Sequence, residues 1–129
     1  MSLSSLSSLA ILVVDDVAEM REMLRLVIES IPEVKSVVTA TNTLEARLEV
    51  TRRRPSLVIL DEVLPGESSL DFALELKKAG IPVLLVTGVI DRNAPIPEGA
   101  AARLFKPEGR QPSSDQKRFR EAILKAVQC

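Results

Sequence analysis

Polar residues suited to phosphoryl chemistry follow four apolar runs of this 129-residue sequence: Asp15-Asp16, Asp61, Thr87 and Lys106. An aspartate carboxylate can attack phosphorus and form an acyl phosphate. A lysine and a divalent cation can neutralise the charge of the group in transfer, and a threonine hydroxyl can donate a hydrogen bond to a phosphoryl oxygen. Together these residue types predict phosphoryl transfer to a carboxylate.

The three aspartates predict a metal site if they meet. Carboxylates packed together repel one another and raise one another's pKa, unless a cation lies among them. The chain has no histidine, so oxygen atoms must hold any ion. Mg²⁺ suits such a set, because it binds a few carboxylates and keeps waters and phosphate oxygens, and Mn²⁺ has similar preferences. Asp15, Asp16 and Asp61 are therefore the candidate ligands.

Each candidate also has an ordinary structural interpretation. Asp15-Asp16 would suit the acidic start of a helix, and Asp61 could bond to its own turn before Pro65-Gly66. Thr87 is a common strand end and Lys106 a common surface residue. Residues suited to one reaction stand at four strand ends, and this agreement favours a functional site over four separate coincidences.

Apolar runs and amphipathic patterns alternate along the chain. We predict strands at Leu9–Val14, Val34–Ala40, Leu57–Asp61, Ile81–Val86 and Ala100–Phe105, and helices over Met20–Ile31, Asn42–Arg53, Ser68–Gly80 and from Ser113 onward. Continuous apolar strands between helices predict an α/β fold with a doubly wound parallel sheet. Right-handed crossovers place all carboxyl ends at one edge, where open α/β sheets bind ligands. The candidate residues should therefore meet there.

Composition limits the classes of protein. The length predicts one domain over residues 9–129, after a disordered N-terminal tail at residues 1–8. A net charge of −1 argues against nucleic acid as a partner. The apolar run Leu9–Val14 is too short for a membrane span or a signal peptide. The single cysteine, Cys129, excludes an internal disulfide, as expected in the cytoplasm.

Four motifs in order resemble a response-regulator receiver domain of two-component systems: VVDD ending at Asp16, LVILDEVLP around Asp61, PVLLVTG around Thr87 and LFKP around Lys106. The resemblance implies a flavodoxin-like, five-stranded parallel sheet in the order 2-1-3-4-5. It also implies that a sensor histidine kinase or a histidine phosphotransfer protein donates a phosphoryl group to Asp61.

The resemblance assigns further roles residue by residue. Asp16 would bind Mg²⁺ directly, Asp15 mainly through water, and Val63 through its backbone carbonyl. Thr87 would be the switch hydroxyl and Lys106 the phosphate partner. The peptide before Pro107 is often cis in such domains.

Departures from the family pattern cluster after the fourth strand. Thr87 and Lys106 are closer in sequence than usual, and Pro95 and Pro97 exclude a regular helix between them, so a loop should replace the family's fourth helix. Arg103 occupies the usually aromatic switch position, and we expect this charged side chain not to fill that space.

Two further positions depart from the family pattern. Ser69 stands where glycine is usual, and Thr87-Gly88 replaces Thr-Ala, as in single-domain receivers that lack the fourth helix. We expect Val89–Gly99 to be mobile until phosphorylation orders it.

The leading interpretation is a stand-alone, non-enzymatic phosphoacceptor that binds an unknown downstream protein or passes its phosphoryl group onward. The alternative is a pseudo-receiver, an interaction module that no longer takes phosphate. An aspartate-nucleophile phosphohydrolase would have a second acid where Val63 stands. A flavin-binding domain would need a phosphate-binding loop where Asp15-Asp16 stands.

Overall fold

Strands and helices alternate in the computed structural model, which describes residues 8–88 and 94–128. The elements are β1 (Leu9–Val14), α1 (Ala18–Glu29), β2 (Val34–Ala40), α2 (Thr43–Arg52), β3 (Leu57–Asp61), α3 (Ser69–Lys78), β4 (Val83–Thr87), β5 (Ala102–Phe105) and α4 (Pro112–Gln128). Of the predicted tail, residues 1–7 lie outside the described residues, as does Cys129. No helix in the described ranges is long and apolar enough to cross a membrane.

All five strands form one parallel sheet in the order β2-β1-β3-β4-β5. The predicted fold class and strand order are therefore confirmed. The direction of winding reverses between β1 and β3, and the carboxyl ends of these two strands flank the point at which such sheets bind ligands.

The sheet separates two apolar cores. Side chains from α1 and α4 cover one face, with Leu24, Ile28, Phe119 and Ile123 fully buried. Side chains from α2 and α3 cover the other face, through Ala46, Phe72, Ala73 and Leu76. Every residue of β3 and β4 is buried, so the strands that carry Asp61 and Thr87 form the rigid centre of the domain.

Two helix starts agree with the sequence and two differ, of which the first is α1: it spans Ala18–Glu29 and not the predicted Met20–Ile31. The Asn42 side chain accepts the Glu45 amide at 2.8 Å, and Ser68 accepts the Asp71 amide at 3.2 Å. The last helix was predicted from Ser113 onward, but α4 already begins at Pro112. Proline suits a first helical position, where its missing N–H has no partner to lose.

Two strand starts also differ from the prediction, because their first amides belong to turns. The Ile81 amide donates to the Leu76 carbonyl at the end of α3, and the Ala100 amide donates to Pro97. These amides are therefore not available to the sheet, and β4 and β5 begin two residues later than predicted.

The connection from β4 to β5 has no helix in its described part, as predicted, although residues 89–93 lie outside that part. Residues 94–99, which we call the β5 approach, pack against α3. A Cβ atom at Gly99 would lie 2.4 Å from the Leu74 nitrogen, so only glycine fits there. Lys77 Nζ also donates to the Glu98 carbonyl at 3.0 Å. Mobility was predicted for Val89–Gly99. These contacts join its described part, residues 94–99, to α3, and its mobility stays a prediction.

Candidate functional site

Asp61 and Lys106 meet at the carboxyl edge of the sheet. Asp61 ends the central strand β3, is 4% exposed, and its Oδ2 atom lies 3.3 Å from Lys106 Nζ. The backbone amide of Val63 donates to Asp61 Oδ1 at 3.0 Å, which fixes the carboxylate in the turn after β3. One oxygen therefore faces the amide and the other faces the ammonium group.

Asp15 approaches the same lysine from β1. Its side chain is fully buried, Oδ1 accepts the Val17 amide at 2.9 Å, and Oδ2 lies 3.5 Å from Lys106 Nζ. That distance gives an electrostatic contact and not a hydrogen bond, so Oδ2 has no hydrogen-bond partner among the described residues. A buried carboxylate oxygen in this state is suited to coordinating a cation.

The three predicted metal ligands come together. Asp15, Asp16 and Asp61 each offer a carboxylate oxygen, and these atoms lie within 4.8 Å of one another. Asp15 and Asp61 are buried, whereas Asp16 is exposed on the solvent side. Hard oxygen donors with one solvent-facing side fit Mg²⁺, because this ion usually keeps several waters.

The environment raises the pKa of the Asp61 carboxyl above its ordinary value. Burial is the largest cause, because it disfavours the charged form. The Val63 amide lowers the pKa, the charge of Asp15 raises it, and Lys106 lowers it. A cation among the carboxylates would favour ionised Asp61, the form needed in a nucleophile.

Thr87 lies beside the acceptor and helps to place the lysine. It is the buried last residue of β4, and its carbonyl accepts the Lys106 amide at 2.9 Å. Thr87 therefore ends the strand next to the acceptor strand, and the role of its hydroxyl as a switch stays a prediction. The described residues contain no cis peptide bond, so the peptide before Pro107 is trans.

The Arg103 side chain is largely shielded from solvent, because Glu62 supplies the partner that sequence reasoning missed. The side chains are 9% and 8% exposed, and two guanidinium nitrogens donate to both carboxylate oxygens at 2.7 and 2.8 Å. The pair raises the pKa of Arg103. Sheet register could have indicated the contact: Arg103 aligns with Leu85 and Leu85 with Leu60, so Glu62, two residues past Leu60, projects from the same face.

Ser69, noted only as a departure from glycine, also contacts the acceptor strand. Its buried hydroxyl donates to the Asp61 carbonyl at 2.7 Å. The first residue of α3 is thus joined to the end of β3. No sequence pattern indicated this bond, because the hydroxyl reaches a backbone atom and not a complementary side chain.

Comparison with known proteins identifies the family of this chain. The family model described as response regulator receiver domain matches residues 11–112. The response regulator domain of CheB from Thermotoga maritima superposes with a TM-score of 0.79 at 28% identity, covering 94% of this chain and 97% of that one. A response regulator receiver domain protein from Clostridium thermocellum gives 0.76 at 26% identity, covering 94% and 95%.

Curated relatives are longer than this chain. A protein-glutamate methylesterase/protein-glutamine glutaminase from Rhizobium johnstonii is 36% identical over 65% of this chain and 24% of its own length. The phosphate regulon regulatory protein PhoB of Pseudomonas aeruginosa is 36% identical over 60% of this chain and 34% of its own. The chain thus spans about a quarter to a third of these relatives.

The chain belongs to the response regulator receiver domain family. This family provides the phosphoacceptor domains of two-component systems, which are phosphorylated on an aspartate and interact with histidine kinases and downstream effectors. It is a family of signalling domains. The methylesterase activity in the relatives' names belongs to proteins of which the match covers about a quarter.

Proposed function

We propose that this domain accepts a phosphoryl group on Asp61 from the phosphohistidine of a sensor histidine kinase or a histidine phosphotransfer protein. One observation carries the proposal: Lys106 Nζ lies 3.3 Å from Asp61 and 3.5 Å from Asp15, at the carboxyl edge of the sheet. A lysine held between two buried carboxylates is placed to bind the oxygens of a group transferred to either of them. The proposal selects Asp61 because it ends the central strand.

The transfer requires little beyond position and charge. An Asp61 carboxylate oxygen attacks phosphorus, the bond from phosphorus to the donor imidazole nitrogen breaks, and that nitrogen regains a proton from solvent. Lys106 neutralises charge on the phosphoryl oxygens, and the Thr87 hydroxyl donates to one of them. The Val63 amide holds the acceptor carboxylate in its turn while this happens.

Asp15, Asp16 and Asp61, with the backbone carbonyl of Val63, would hold Mg²⁺ or Mn²⁺ in this proposal. When bound, the ion neutralises the carboxylates and the phosphoryl oxygens together. The orphaned Oδ2 atom of Asp15 supports this assignment.

The same proposal includes the way in which the phosphorylated domain passes on its signal. The phosphorylated domain acts in the cytoplasm by binding a downstream protein or by passing its phosphoryl group onward, with slow loss of its own phosphoryl group as its only reaction. That it acts without a fused output domain stays a prediction, which the mass of the protein isolated from its natural host would test. A pseudo-receiver is the second candidate, because the usually aromatic switch position here holds Arg103 in a fixed ion pair.

Incubation with Mg²⁺ and acetyl phosphate, followed by intact mass measurement, tests the proposal. Wild-type protein should gain one phosphoryl group, whereas Asp61→Asn and wild type in excess EDTA should gain none. Asp71→Asn is a matched control, because this exposed aspartate lies on α3 outside the site. Phosphorylation of Asp61→Asn at the wild-type rate would disprove the acceptor assignment, and an unmodified wild type would favour the pseudo-receiver.

A further inference from the structure

The partly buried ion pair of Arg103 and Glu62 does more than neutralise two charges. Arg103 lies within β5, and its guanidinium also donates to two backbone carbonyls of the β5 approach, Ala94 at 2.9 Å and Pro95 at 3.2 Å. One side chain therefore bonds to a carboxylate at the end of β3 and to the segment that leads into β5. Arginine suits this role because its planar group presents several donors in fixed directions.

Glu62 connects this side chain to the acceptor turn. It directly follows Asp61, and its own amide donates to the Val86 carbonyl at 2.9 Å. The next amide, that of Val63, holds Asp61 Oδ1. A displacement of Glu62 would therefore disturb the hydrogen bond that orients the acceptor carboxylate.

The other contacts of the β5 approach lead away from the site. Gly99 packs on the backbone of α3, and Glu98 accepts a hydrogen bond from Lys77 of the same helix. Arg103, by contrast, joins the segment to the residue next to Asp61. The ion pair depends on its geometry, because a charge that is shielded from solvent is unfavourable once it loses its partner.

We propose that Arg103 and Glu62 are positioning residues that couple docking of the β5 approach to the acceptor turn, so that the two become ordered or loosened together. The consequence for signalling rests on the proposed function: uptake of a phosphoryl group would stabilise the turn and, through this pair, the segment. Coupling between two sites is reciprocal, so loss of the pair must also weaken binding at the acceptor.

Amide hydrogen exchange of the double variant Glu62→Gln/Arg103→Met provides the test. This variant removes both charges and leaves no unpaired ion to unfold the domain. Without ligand, we expect the Val63 amide and the Ala100 amide, which donates to the Pro97 carbonyl of the β5 approach, to exchange faster than in wild type by about fivefold, the lower end of ordinary coupling between sites. Rates are taken relative to the Leu12 amide in β1, which reports opening of the whole sheet.

Ligand binding supplies the second readout. Mg²⁺ with beryllofluoride, a mimic of the phosphoryl group, should slow exchange of the Ala100 amide in wild type, and the double variant should lose this response. The affinity of the double variant for beryllofluoride should fall by a similar factor of about five. Arg103→Lys should give an intermediate result, because it keeps the charge but not the two-point contact.

Arg120→Met is the matched control, because Arg120 makes a similar two-point contact with Glu33, which precedes β2 at the opposite edge of the sheet. It should leave both readouts unchanged. Wild-type exchange rates at Val63 and Ala100 in the double variant would overturn the coupling. A wild type that binds no beryllofluoride and takes no phosphoryl group would overturn the proposed function instead, since the ligand-free comparison does not depend on it.

Discussion

Burial raises the pKa of the Asp61 carboxyl, and ionisation of this side chain therefore opposes folding. The folded protein holds the Asp61 proton more tightly than the unfolded chain, in which the pKa is about 3.9. The contribution of this group to the free energy of unfolding must then fall as pH rises through the unfolded and then the folded pKa. At neutral pH the ionised side chain leaves the metal-free domain less stable than a neutral one would.

Asp61→Asn should therefore raise the melting temperature in EDTA, and its advantage over wild type should grow as pH increases from about 4 to 7. Thermal melts of both proteins across that range measure the difference. Asp71→Asn removes an equal charge from the exposed start of α3 and should show no such gain. A difference that stays constant with pH would mean that Asp61 titrates alike in the folded and unfolded states.

Site residues could be predicted from the sequence only where strand ends fix them. Asp15, Asp16, Asp61 and Lys106 meet because parallel strands bring their carboxyl ends to one edge. Glu62 escaped notice because its partner lies two strands away, across β4. Such a contact depends on register, which hydrophobic periodicity alone does not provide.

At the scale of elements, the strands and helices follow from the alternation of apolar runs with amphipathic patterns, and the errors lie at their ends. The last helix begins at Pro112, one residue before the predicted Ser113, because proline suits the first helical position. The mobility expected of Val89–Gly99 rested on its prolines. The sequence pattern gave no indication that Gly99 packs on α3.

Gly99→Ala should detach the β5 approach from α3. The added Cβ atom would lie 2.4 Å from the Leu74 nitrogen and 2.6 Å from the Ala73 carbonyl carbon, and helix backbone cannot move aside as a flexible side chain can. We expect a loss of about 1–3 kcal/mol in the free energy of unfolding, the usual range for overpacking. Urea unfolding measures it.

Gly88→Ala is the matched control for this change. Among the described residues the new Cβ atom would meet only Lys106 Cδ, at 3.9 Å, and Gly88 is exposed. Its free energy of unfolding should stay within about 0.5 kcal/mol of wild type. Equal effects of the two substitutions would show that loss of glycine itself, and not the contact with α3, destabilises the chain.

At the scale of the whole molecule, the metal and the fold are linked through binding. An ion that binds the folded state alone stabilises it by about 2.7 kcal/mol at a hundredfold excess over its Kd. Mg²⁺ should therefore raise the melting temperature of wild type, but raise it little in Asp15→Asn, which lacks a buried candidate ligand. Circular dichroism is the suitable measurement, because the chain has no tryptophan or tyrosine.

An equal ionic strength of NaCl separates specific binding from screening of the carboxylates. Sodium should reproduce only a small part of the gain. If NaCl and MgCl₂ stabilised the domain equally, the carboxylate cluster would be a general acidic surface and not a divalent-ion site.

Two buried carboxylates lie at the ends of neighbouring strands, and one of their oxygens has no hydrogen-bond partner among the described residues. The carboxyl edge is therefore a locally unfavourable part of an otherwise consistent fold. Selection for heat resistance in the absence of divalent cations would favour neutral residues at Asp15 and Asp61 and so erase the acceptor. A thermostabilised version of this domain should therefore be chosen by phosphoryl uptake as well as by survival on heating.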